Sequence, residues 1–251
     1  MRKPFVAGNW KMNKTIAESA SLAAAIRDGL GDNPSVDVAV IPQFLSIPEV
    51  SKVLNGIPIS VGAQDVYFEK SGAFTGEISC QMLADGGCSF ALVGHSERRH
   101  VLGETDALIR RKLDALLASD LGVILCVGEK LDEREAGKTE QCLDRQIRAG
   151  LTGIPKEKMG LVTVAYEPVW AIGTGKTATT NQAEEAHLFI RNLVKTLFDE
   201  DIAQKMRIQY GGSVKPENAA ELLAEPNVDG ALVGGASLKP ESFLGIIQAS
   251  A

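Results

Sequence analysis

Residues 122–129 read GVILCVGE, an unbroken small or apolar run followed by a glycine and a carboxylate. No polar residue interrupts Gly122 to Val127, so neither face of such a strand suits water. Strands that are apolar on both faces belong to parallel sheets covered on both sides. Similar runs begin on the N-terminal side at Phe90 (FALVGH), Ile59 (ISVGAQ), Val36 (VDVAVIP) and Phe5 (FVAGNW). On the other side they begin at Leu161 (LVTVAYEP), Arg207 (RIQYGG) and Gly230 (GALVGG). Eight runs in 251 residues recur about every 31 residues (251/8). Amphipathic patterns lie between them, at Thr15 to Leu30, Thr105 to Ser119, Lys138 to Leu151 and Thr179 to Phe198. Thr15 with Glu18, and Thr179 with Gln182, have the spacing of a helix-opening capping box. Eight strand-plus-helix units and no other element predict an α/β fold, a closed (β/α)8 barrel forming one domain over residues 1–251. An open doubly wound sheet has the same cadence and stays the alternative, because a strand count does not prove closure.

Composition agrees with a globular chain: 45% hydrophobic, 23% charged, 25 Gly and 10 Pro. The net charge of −6, with no basic run, argues against nucleic acid. Taken alone it also argues against an anionic substrate. The start, MRKPFVAGNW, has no long apolar segment of a signal peptide, and no window is long and apolar enough for a membrane span. Cys80, Cys88, Cys126 and Cys142 form no CxxC, and His95, His100 and His187 do not cluster with them, so no zinc site is expected. Free thiols favour the cytoplasm.

In a (β/α)8 barrel the site lies at the C-terminal ends of the strands. There the runs end in Asn9-Trp10-Lys11, Gly94-His95-Ser96-Glu97, Tyr166-Glu167-Pro168, Gly211-Gly212-Ser213 and Gly234-Gly235. Each has a plain reading by itself: a solvated lysine, a rim histidine, a strand-ending carboxylate before proline, ordinary glycine turns. Closure would bring amide, ammonium, imidazole and carboxylate to one mouth beside two glycine loops. Glycine loops let backbone N–H groups approach an anion closely, and the loops after the seventh and eighth strands are the usual phosphate site. Gly234-Gly235-Ala236-Ser237 is expected to open a short helix there. Gly175-Lys176-Thr177 resembles a P-loop tail, but Trp170 stands where the first glycine is required. Gly173 to Ala178 reads GxGxxA, but too far beyond a strand end for a dinucleotide turn.

Long segments resemble the triosephosphate isomerase family: GNWKMN at Gly8 to Asn13, GHSERR at Gly94 to Arg99, and AYEPVWAIGTGK at Ala165 to Lys176. YGGSV at Tyr210 to Val214 and GALVGGASL at Gly230 to Leu238 continue the match in order along the whole chain. The resemblance implies a TIM barrel that interconverts dihydroxyacetone phosphate and glyceraldehyde 3-phosphate through an enediolate, without cofactor or metal. It implies Glu167 as the base, and His95 as a neutral electrophile kept so by a helix that Ser96 caps. Lys11 and Asn9 then stabilise the intermediate, and Glu97 is the acidic partner near Lys11. Gly173, Ser213, Gly234 and Gly235 bind phosphate. Pro168 to Lys176 forms a water-excluding lid, with Tyr210 and Ser213 holding it closed. Cys126 is expected to pack beside Glu167 rather than attack. Local groups, and not the total of −6, then set the field at the site.

The segment from Asp65 to Ser79 (DVYFEKSGAFTGEIS) carries Tyr67, Phe68 and Phe74, too apolar for a free surface loop. The resemblance implies a homodimer in which this loop enters the partner, Thr75 nearing the partner's Asn9 and the partner's His95. Two positions depart from the family's pattern. Asp65 stands where Asn is frequent; a carboxylate in a buried interface is either paired or carries a desolvation cost, and Asp65→Asn is expected to tighten the dimer. Thr180 replaces a helix-opening proline, with no effect expected on chemistry. Other phosphate-binding barrels fit less well: no Schiff-base lysine stands inside a middle strand, and an epimerase's metal ligands are missing. A non-catalytic barrel would lack one of Asn9, Lys11, His95 or Glu167.

Overall fold

The computed structural model describes residues 2–31, 35–172 and 177–250. All eight apolar runs are strands: β1 (Phe5–Asn9), β2 (Asp37–Ile41), β3 (Ile59–Ala63), β4 (Phe90–Val93), β5 (Gly122–Val127), β6 (Val162–Tyr166), β7 (Ile208–Tyr210) and β8 (Gly230–Val233). Each pairs in parallel with its sequence neighbours, and β8 returns to β1 with Phe5 opposite Gly230, which closes the barrel. The open-sheet alternative is thereby excluded.

Strand periodicity sorts the side chains. Phe5, Ala7, Ile41, Phe90, Leu92, Ile124, Cys126, Ala165 and Leu232 fill the inside. The alternate positions, such as Val6, Val38, Val93, Val123, Leu125 and Val164, face a second and larger core beneath the helices. Side chains two apart share a face of a strand. Asn9 therefore continues the inward row of Phe5 and Ala7, and Glu167 the inward row of Ala165, now at the barrel mouth.

The predicted helices form at Ile16–Leu30, Asp106–Ala118, Thr139–Leu151 and Thr180–Leu197. Both predicted capping boxes, Thr15 with Glu18 and Thr179 with Gln182, are present. One expectation fails: the units contain more than a strand and a helix. Additional short helices occupy Ser96–His100 after β4, Leu131–Glu135 after β5 and Glu200–Lys205 before β7. They are one or two turns long, too short to carry an apolar periodicity that sequence reading detects. Among the described residues, no helix is long and apolar enough to cross a membrane.

Candidate active site

A cavity of about 520 Å³ opens at the C-terminal ends of the strands. Asn9, Lys11, His95, Glu167, Ser213, Gly234 and Gly235 all line it. Glu97 stands just behind this wall, its Oε1 2.5 Å from Lys11 Nζ. Gly173 lies outside the described residues, as does the C-terminal part of the expected lid.

Lys11 has a left-handed backbone, φ +51°, unusual for a residue with a side chain. Hydrogen bonds around it hold that conformation. Its N–H donates to Asn9 Oδ1 at 3.0 Å, and its carbonyl accepts from Gln64 Nε2 at 2.7 Å. The same Gln64 amide also reaches the Ile41 carbonyl, at 3.2 Å. With Asn9 Oδ1 engaged, the Asn9 Nδ2 donor remains for the cavity.

His95 does not precede a Ser96 cap, contrary to expectation; it is itself the N-cap residue of the helix Ser96–His100. The Glu97 backbone N–H donates to His95 Nδ1 at 3.3 Å. An accepting Nδ1 has no proton, so in this arrangement Nε2 carries the hydrogen. That Nε2 lies 3.0 Å from Glu167 Oε1. Glu167 Oε2 accepts from the Ser96 N–H at 2.8 Å, so the serine contributes its backbone here. Both His95 and Glu167 are buried.

Two glycines give Glu167 its room. A Cβ on Gly128 would lie 1.7 Å from the Glu167 carbonyl oxygen, and one on Gly211 would lie 2.8 Å from its Cγ. Real Cβ atoms do not approach so closely, so both positions require glycine. Gly211 appeared in the sequence only as part of a turn, and Gly128 was not singled out at all. Cys126 is wholly buried inside the barrel, and burial, reinforced by the Glu167 carboxylate, pushes its thiol well above the usual range. It is a packing residue, as expected.

Glu129, at the end of the opening motif, is fully buried and was missed as a site residue. Its carboxylate accepts from Tyr166 Oη at 3.1 Å and from Trp170 Nε1 at 2.9 Å. Arg134 Nη1 adds a contact at 3.1 Å. The described part of the expected lid, a 3-10 turn at Val169–Ala171, is thus tied down through its indole, and Ile172 lines the cavity. The Gly235–Leu238 segment forms the short 3-10 helix expected after β8.

Asp65 does not wait unpaired for a partner chain. It is buried with Lys112 Nζ at 2.7 Å and Arg98 Nη2 at 2.8 Å, and Glu104 also contacts that lysine. Burial pushes its carboxyl upward, opposed by the attraction of Lys112. The premise behind the expected gain from Asp65→Asn is therefore overturned. The partners lie far along the chain, and spacing alone does not reveal them.

A family model described as triosephosphate isomerase matches residues 4–250. This chain belongs to the triosephosphate isomerase family. A triosephosphate isomerase of Carboxydothermus hydrogenoformans is 54% identical over 250 residues, 100% of each chain. That of Syntrophotalea carbinolica is 53% identical over 248 residues, 99% of this chain and 98% of its own. That of Rhodopirellula baltica is 51% identical over 249 residues, 99% of this chain and 98% of its own. As a triosephosphate isomerase, the chain interconverts dihydroxyacetone phosphate and glyceraldehyde 3-phosphate, a glycolytic step.

Proposed function

We propose that Glu167 is the base of this isomerisation and His95 the electrophile. The observation that carries the assignment is the buried His95–Glu167 pair, 3.0 Å apart and facing one cavity with Lys11. Isomerisation must take a proton from the carbon beside a carbonyl and return it to the neighbouring carbon. Glu167 accepts that proton. The His95 Nε2–H donates to the developing oxyanion, and Lys11 with the Asn9 amide stabilises the enediolate. A neutral donor suits the task, since it polarises oxygen without surrendering its proton early. Substrate displaces Glu167 from the Ser96 N–H and so frees its carboxylate to reach the carbon. Glu97 orients the Lys11 ammonium.

Ser213, Gly234 and Gly235, with Gly173, take the phosphate through backbone N–H groups and a hydroxyl. Val169 to Ile172, the apolar part of the lid at Pro168 to Lys176, exclude water and suppress loss of phosphate from the enediolate. No cofactor or metal enters this scheme, and among the described residues no cluster of His, Cys, Asp and Glu is arranged to hold a metal ion.

We further propose a homodimer built on the loop at residues 65–79 of one folded domain. Tyr67 packs at a tilt against Phe68 and Phe74, with centroids 4.2 and 4.8 Å away, so the loop carries its own aromatic cluster. Met12, Leu45, Phe74, Met82 and Val101 are exposed apolar side chains from neighbouring segments, a surface that a second copy would cover. The four free cysteines fit a reducing cytoplasm.

A coupled isomerase assay tests the base. Glu167→Asp retracts the carboxylate, and kcat should fall at least a hundredfold with little change in KM; undiminished turnover would reject the assignment. Dilution to low nanomolar concentration should cost activity as monomers form, and a fully active monomer would reject the dimer.

A further inference from the structure

Besides the residues given a role in the reaction, the cavity is lined by Lys215, Pro216, Glu217, Lys239 and Ser242, whose side of the wall is termed its lobe. The tripeptide Lys-Pro-Glu occurs at 215–217 and again at 239–241. Each copy leads from a phosphate loop into the next helix, Pro216–Leu223 after β7 and Pro240–Gln248 after β8. The first residue of one helix packs against the middle of the other, since a Cβ on Gly245 would lie 3.3 Å from the Pro216 ring. Lys215, Pro216, Lys239 and Ser242 thereby share one cavity with Ser213 and Gly235.

The lysines that line the cavity are not equally paired. Lys11 has its positive charge matched by Glu97. Among the described residues, Lys215 and Lys239 make no ion pair, although the chain carries 32 acidic and 26 basic side chains. Glu217 is the carboxylate in this part of the wall, leaving two ammonium groups against one. The whole cavity, about 520 Å³, is of a size that accommodates ligands well beyond a three-carbon monophosphate.

We propose that this lobe is a second anion subsite, formed by Lys215 and Lys239 next to the phosphate subsite. It admits small compounds with two phosphates joined end to end. Such compounds seat one anion at Ser213 and the glycine loops and the other between the lysines. They present no exchangeable proton to Glu167 and act as competitive inhibitors. The proposal rests on the phosphate role of Ser213, Gly234 and Gly235.

The test compares inorganic phosphate and pyrophosphate as inhibitors of the purified protein at fixed ionic strength. Pyrophosphate should bind about tenfold more tightly than phosphate. Lys215→Met with Lys239→Met should abolish that gain and leave kcat and phosphate inhibition within twofold. A charge-matched control, Lys14→Met with Lys130→Met, should keep the gain. The subsite is overturned if pyrophosphate has no advantage, if the advantage survives in the lobe variant, or if both variants lose it equally. Failure of phosphate itself to compete with substrate would instead overturn the phosphate role of the loops, and the subsite with it.

Discussion

His95 Nε2 lies 3.0 Å from Glu167 Oε1, and the Glu97 N–H on Nδ1 leaves that Nε2 as the donating nitrogen. One hydrogen bond thus joins the proposed electrophile to the proposed base before substrate arrives. His95→Gln keeps a neutral donor but loses the ring that spans both bonds. Its kcat should drop about a hundredfold or more, with KM changed far less, as measured by steady-state kinetics in both directions.

Gln64 holds the carbonyl of Lys11, whose backbone is in a left-handed conformation. Gln64→Leu removes the donor and lets the ammonium wander from the cavity. We expect kcat/KM to fall about tenfold. On a Lys11→Met background the same change should cost less than twofold, because the group it positions is already gone. Equal losses on both backgrounds would mean that Gln64 acts on stability alone.

His187 is wholly buried in the helix Thr180–Leu197, its Nδ1 3.2 Å from the Asn227 carbonyl. Burial lowers its pKa to about 3. In the unfolded chain the ring titrates near 6.5, so its full contribution to stability is present above that pH and is lost as pH falls toward 3. Between pH 7.5 and pH 5 this one residue should cost about 2 kcal/mol. Urea unfolding at the two pH values measures it, and His187→Gln should flatten the difference.

Asp65 is one of two carboxylates, with Glu104, facing Lys112 and Arg98. Asp65→Asn leaves two buried or half-buried cations to a single carboxylate. Breaking a buried charge pair from one side costs about 3 kcal/mol or more. The variant should unfold at lower urea concentration, and its dimer should be no tighter than that of the parent.

Much of this molecule is legible in the sequence, for definite reasons. Strands buried on both faces cannot tolerate polar residues, so GVILCV and its counterparts are visible as uninterrupted runs. Residues at strand ends converge because closure is cyclic, which gathered Asn9, His95 and Glu167 from distant segments. The illegible part is what depends on where long side chains arrive. Gln64 meets Lys11 past the end of β2, Lys112 meets Asp65 from a helix on the other side of β4, and Glu129 meets Trp170 from the adjacent strand end. No spacing encodes such meetings. His95 capping its own helix through a ring nitrogen escaped notice because Ser96 is the commoner capping residue type.

The contact of Gly128 with Glu167 also bears on how this protein can change. A single methyl group at position 128 would collide with the backbone of the residue proposed to carry the proton. Every amino-acid replacement at that position therefore strains the site before it can offer anything new. Lys215 and Lys239 lie at exposed positions with no such neighbour. Variation in what the cavity admits has room to accumulate at its outer lobe, while the floor beneath the carboxylate is locked.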